Sequence, residues 1–141
     1  MCGHTIIGLK KFGDNDSGET IKAIEFYKEW LADSGLPCVF GGDFNNSVIW
    51  DKPNNKNNFQ NINTHLESLG FASAYHTNTG DDFGYEKSAT FFHTKQESKK
   101  YHIDYMYLKL LETKSVELGA FDGWIKLSDH VPLITEVKTY L

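Results

Sequence analysis

Cys38-Val39-Phe40-Gly41-Gly42-Asp43-Phe44-Asn45 is an apolar run that stops at two glycines, after which an acid and an amide follow one residue apart. Val39-Phe40 reads as a buried strand, ending where the backbone turns tightly and something approaches closely. Residues i and i+2 of an extended segment face the same way, so Asp43 and Asn45 project together while Phe44 turns back into the core. A carboxylate and an amide side by side at a strand's C-terminal end suit a metal ion, a water or a phosphate oxygen. Taken alone, such a stretch is more often a turn closing a strand than a site.

Two other stretches change that balance. His102-Ile103-Asp104-Tyr105-Met106-Tyr107 alternates as a strand does, with Asp104 on one face and Ile103 and Tyr105 on the other. Ser128-Asp129-His130-Val131-Pro132-Leu133 sets an acid beside an imidazole just before a final strand. In this order GDFN, IDY and SDH resemble the C-terminal half of the endonuclease/exonuclease/phosphatase superfamily, over about Leu36 to Val137. Ile49-Trp50-Asp51 and Ser73-Ala74-Tyr75-His76 further look like a bacterial branch of it.

The resemblance implies an α/β (α+β) sandwich of the DNase I-like kind, here reduced to roughly the C-terminal sheet with its covering helices. It implies a phosphoesterase, a nuclease or phosphatase dependent on Mg2+ or Mn2+, that drives water in line onto phosphorus. Asp43 would align and activate that water, and Asn45 would hydrogen-bond the water or a phosphate oxygen. His130 would contact the scissile phosphate, Asp104 would orient His130, and Asp129 would sit at the metal edge. An Asp–His pair fixes the ring tautomer and raises its basicity whatever the family.

Each residue has a plainer reading: a turn acid at Asp43, a strand acid bonded to the backbone at Asp104, and a capping acid beside a surface imidazole at Asp129-His130. Trp50, Phe91 and Phe92 offer faces for a base or sugar, although such aromatics more often pack. His102 shares the face of Asp104 and is expected in a cross-strand hydrogen bond or, as a second role, against substrate. His76 and His93 lie near loop ends, and His65 falls on a polar helix face.

The superfamily's first half supplies an asparagine and a metal-binding glutamate that are not found ahead of GDFN here. His4 is the one candidate to stand in for a substrate-contacting residue from that region. Metal binding is therefore expected to be weak and catalysis by this chain incomplete. The sheet face that a partner sheet would cover is expected to be bare, which predicts a homodimer through that face. The alternative to an enzyme is a non-catalytic half-domain that serves interaction or oligomerisation.

Composition narrows the partners. At 141 residues, 1–141 reads as one partial domain. A net charge of −5 gives no broad footprint for gripping long nucleic acid, and Lys95, Lys99 and Lys100 read as a solvated loop. A hydrophobic fraction of 40% suffices for a packed core. Cys2 and Cys38 suggest neither a disulfide framework nor a zinc site. No signal-peptide pattern and no long apolar run occur, so a cytoplasmic setting without membrane partners is expected.

Along the chain, His4 to Leu9 is expected as a strand and Lys10 to Ser17 as a loop. Asp16 and Glu19 make a capping-box-like start to a helix with an apolar face of Ile24, Tyr27 and Leu31, flanked by Ala23, Phe26 and Trp30, ending at Gly35. That order predicts a βαβ unit with parallel strands. A polar loop, Asn46 to Asn58, precedes a covering helix marked by Phe59, Ile62, Leu66 and Leu69 and stopped by Gly70. Phe71 to Tyr75 reads as a strand and Thr77 to Ser88 as a loop. Ala89–His93 with Tyr101–Leu108 reads as a hairpin, Val116–Ala120 as a weak strand, and Val131–Val137 as a central one.

Overall fold

The computed structural model describes residues 19–33 and 35–138. The expected strand at His4–Leu9, the following loop and the Asp16 cap lie outside them, as does His4. Within the described residues the architecture is mixed α+β, with small antiparallel sheets.

The first helical stretch is two helices, α1 (Glu19–Phe26) and α2 (Lys28–Asp33), parted at Tyr27. Ile24 and Leu31 are buried as expected, but Phe26 and Trp30 stand 60% and 49% exposed. Residues 23, 26 and 30 form a row rotated by one residue from 24, 27 and 31, and the buried stripe is too narrow to include it.

Strand β1 (Cys38–Asp43) pairs antiparallel with β5 (Asp104–Lys109) along its whole length, from Cys38 opposite Lys109 to Asp43 opposite Asp104. Short β2 (Ala72–Ser73) pairs with the other edge of β5, also antiparallel. The strand expected to run parallel to β1, at His4–Leu9, lies outside the described residues. The pleat sorts this sheet into two faces. Phe40 and Tyr107 point to one, which α1 and α3 (Phe59–Ser68) cover with Ile21, Ile24, Phe59, Ile62 and Leu66. Phe44 turns into the same core, edge-on to Phe59 and Tyr105. Val39, Gly41 and Asp43 point to the opposite face beside Leu108, Met106 and Asp104. Val39 is 58% exposed and not buried as expected, because no helix among the described residues covers its face of β1.

Asp51 accepts the first amides of α3, from Phe59 at 2.7 Å and Gln60 at 3.0 Å, supplying the charge that a helix N-terminus favours. The strand expected over Phe71–Tyr75 is only β2, because the chain then coils into α4 (Ala74–Thr79), burying Ala74 and Tyr75 in succession where a strand would alternate. The expected hairpin shrinks to β3 (Phe91–Phe92) with β4 (Lys100–Tyr101), and the chain beyond Ile103 joins β1 instead. After β6 (Glu112–Leu118) and α5 (Phe121–Trp124), β7 (Leu133–Lys138) pairs with β6. β7 is not central among the described residues: Ile134, Glu136 and Lys138 point outward in strict alternation. No helix among the described residues is long and apolar enough to cross a membrane.

Candidate active site

The site forms on the sheet face away from α1 and α3, where β1 ends and β5 begins. Asp43 and Asp104 are direct cross-strand partners there. Both glycines before Asp43 have a physical cause. A Cβ on Gly41 would lie 2.9 Å from the Tyr105 carbonyl oxygen and 3.3 Å from Met106 Cα, so only hydrogen fits between the strands. Gly42 has φ +148°, a conformation that L side chains rarely adopt.

The turn beyond β1 then closes on its own acid. Asn45, in the left-handed region at φ 47°, donates its backbone N–H to Asp43 Oδ1 at 2.8 Å and its Nδ2 to Oδ2 at 3.0 Å. The carboxylate is fixed by its neighbour, through this left-handed turn and not through the extended i, i+2 geometry expected of a strand.

His130 arrives from the segment before β7. Its Nδ1 lies 2.8 Å from Asp104 Oδ2 and its Nε2 lies 3.9 Å from Asp43 Oδ2. Facing a carboxylate that can only accept, Nδ1 carries the proton and donates it, which leaves Nε2 directed toward Asp43. The three side chains remain 29%, 22% and 35% exposed for His130, Asp104 and Asp43, so a solute can reach them. The Phe91 ring packs 4.8 Å from the imidazole, centroid to centroid.

Thr90 was not singled out in the sequence, yet it joins the segments that carry the site. It is fully buried, and its Oγ1 accepts the backbone amides of Ile103 at 3.1 Å and Asp104 at 3.0 Å. Its carbonyl accepts the amide of Val131 at 2.8 Å, beside His130. A lone threonine in an apolar stretch carries no sequence signal for this, since the partners come from distant segments.

The other expected residues fall differently. Asp129 is held through its carbonyl, which accepts the Phe92 amide at 2.8 Å; its carboxylate makes no hydrogen bond among the described residues. Trp50 stands 42% exposed with its ring 5.2 Å from Tyr101. His102 is only 5% exposed, under the Tyr75 ring, and its Nδ1–H donates to the Ser88 carbonyl at 2.8 Å. It therefore offers no surface to a substrate: its segment precedes β5, off the regular pleat, and turns the ring inward. Burial lowers its pKa, only partly offset by that hydrogen bond and by the charge of Glu86. Its Nε2 has no partner among the described residues.

His76 does not line the site either. Ser73 Oγ lies 2.7 Å from its Nδ1 and Glu86 Oε1 lies 3.2 Å from its Nε2, with the Phe83 ring stacked at 3.6 Å. Burial pushes the Glu86 carboxyl up, but hydrogen bonds from His76 and the Gly84 amide outweigh it and leave the group lowered.

Among the described residues no three His, Cys, Asp or Glu side chains converge as ion ligands. Both Asp43 oxygens serve Asn45, and Asp104 serves His130. What the arrangement can do by itself is hold a water against Asp43 and present an oriented imidazole beside it.

A scan against protein-family models finds no match to this chain. A search of curated proteins finds no relative.

Proposed function

We propose that the chain is a phosphoesterase of the endonuclease/exonuclease/phosphatase kind, with a DNase I-like half-sandwich as its scaffold. The observation that carries this reading is His130 set between two cross-strand carboxylates, 2.8 Å from Asp104 and 3.9 Å from Asp43. In this reading Asp43, held by Asn45, takes a proton from the attacking water. The water oxygen bonds to phosphorus as the ester P–O bond breaks, and the leaving oxygen takes its proton from solvent. His130, protonated and steadied by Asp104, donates from Nε2 to a phosphate oxygen as charge gathers there. The metal dependence that the resemblance implies is left to measurement. Turnover of a generic phosphodiester, assayed with and without Mg2+ or Mn2+, tests the proposal: Asp43→Ala and His130→Ala must each abolish it. Turnover that survives either change sinks it.

A second reading, a non-catalytic module that pairs two copies, has one observation in its favour. Leu36, Val39 and Leu110 are 66%, 58% and 54% exposed at one end of the β1–β5 ladder. Light scattering distinguishes it: a dimer that Val39→Asp dissociates supports an interface there, and a monomer removes it.

A further inference from the structure

The loop between β1 and α3 carries six asparagines, Asn45, Asn46, Asn54, Asn55, Asn57 and Asn58. Several of their amides are spent on holding the loop in one shape. Asn46 Nδ2 donates to the Asn57 carbonyl at 2.9 Å. The Asn58 side chain accepts the Lys52 amide at 3.0 Å and donates to the Lys52 carbonyl at 2.7 Å. Asn55 Oδ1 accepts the Asn57 amide at 3.0 Å. The loop so fixed walls an open cavity of about 520 Å³ that Asn45 borders on the side of the Asp43 carboxylate.

The volume falls within the range of small-molecule sites, roughly 300–1,000 Å³. Its wall presents the exposed faces of Ile49 and Trp50, and with them Lys52 and Asn57. The Trp50 indole N–H, the Lys52 ammonium and the Asn57 side-chain amide make no hydrogen bond or ion pair among the described residues. A flat aromatic face, one cation and an amide with both a donor and an acceptor thus remain open within one preformed cavity.

From this we infer that the cavity is a subsite for a nucleotidyl group, so that the ester cleaved at Asp43 and His130 is one borne by a nucleoside; this rests on the phosphoesterase reading above. The base stacks on Trp50, its polar edge meets the Asn57 amide, and Lys52 pairs with a phosphate oxygen. The three open groups select this class together. A sugar alone also lies on an indole but brings no anion for Lys52, and inorganic phosphate brings no ring for Trp50.

Calorimetric titration of the full chain with adenosine 5′-monophosphate, ribose 5-phosphate and a short single-stranded oligonucleotide tests the subsite. The nucleotide is expected to bind about tenfold more tightly than the sugar phosphate, the scale set by one base stacked on an aromatic ring. Trp50→Ala should erase that margin and Lys52→Ala should weaken both ligands. Tighter binding of the oligonucleotide than of the mononucleotide identifies a nucleic-acid strand as the source, and the reverse identifies a free nucleotide. Equal affinity for nucleotide and sugar phosphate, or a margin that survives Trp50→Ala, overturns the inference. Should Trp50→Ala fail to fold, nucleotide affinity unchanged in both Lys52→Ala and Asn57→Ala overturns it instead. Binding without turnover in the unaltered chain sinks the phosphoesterase reading alone, and turnover without nucleotide preference sinks the subsite alone.

Discussion

Asp43 and Asp104 stand opposite each other across the β1–β5 ladder, and His130 reaches toward both. Like charges directly opposite on neighbouring strands destabilise a sheet. Here an imidazole that can take a second proton lies between them, and an amide from Asn45 bridges to one of them. A pairing that is unfavourable for a scaffold is what a site needs to hold a charged ring in one orientation.

Asp104→Asn tests that orientation. The amide can still accept from Nδ1 but can equally present its NH2 and turn the ring to the wrong tautomer. Turnover of a phosphodiester is expected to fall about 10- to 100-fold, the usual cost of losing a carboxylate that orients a histidine, with KM little changed. A kcat unaltered by the substitution would show that Asp104 plays no positioning part.

Thr90→Val removes one hydroxyl while keeping the shape of the side chain. The amides of Ile103 and Asp104 then lose their acceptor inside the fold. A loss of about 1–3 kcal/mol in urea unfolding is expected, the cost of unsatisfied buried donors. Turnover measured where the variant is still folded should drop as well, because Asp104 is the residue left unanchored.

Gly41→Ala and Gly42→Ala are expected to destabilise for different reasons. The first forces a methyl group to within 2.9 Å of the Tyr105 carbonyl oxygen and should separate β1 from β5, at about 1–3 kcal/mol. The second meets open space but must hold φ +148°, at about 1–3 kcal/mol. Thermal melts of the two variants check both, and Gly41→Ala alone should loosen amide-exchange protection across the ladder.

The fold should weaken on mild acidification because of His102. Its folded-state pKa is lowered, chiefly by burial, from a value near 6.5. As pH falls below about 6.5 the unfolded chain takes up a proton that the folded chain refuses, so stability is present above that pH and declines below it. Urea midpoints between pH 7.5 and 5 should show the decline, and His102→Gln should flatten it. A midpoint independent of pH in both proteins would contradict a neutral buried ring.

Much of the site was legible because it sits where local rules apply. The double glycine, the strand end at Asp43 and the alternation around Asp104 follow from strand geometry, whereas Asn45 lies past β1 in the left-handed region and meets Asp43 through a turn. Adjacency pairs His130 only with Asp129; its pairing with Asp104 was an expectation of the resemblance, and the two side chains meet at 2.8 Å. The misreadings share a cause. Val39, β7 and the Phe71–Tyr75 stretch were judged by apolar content, whereas burial depends on which face another element covers. His102 was assigned to a face by counting back from Asp104, but the count holds only inside the strand, and His102 precedes it. The parallel partner expected for β1 lies outside the described residues, and the neighbour that is described, β5, comes from far along the chain.

The register of β1 against β5 also bears on how the molecule acquires its chemistry. The two acids belong to segments distant in sequence, and nothing local brings them together before the ladder zips. Closure of that long loop is slow compared with coiling of a helix. Refolding experiments should therefore find helical signal returning ahead of competence, with the last step of folding and the first turnover arriving together.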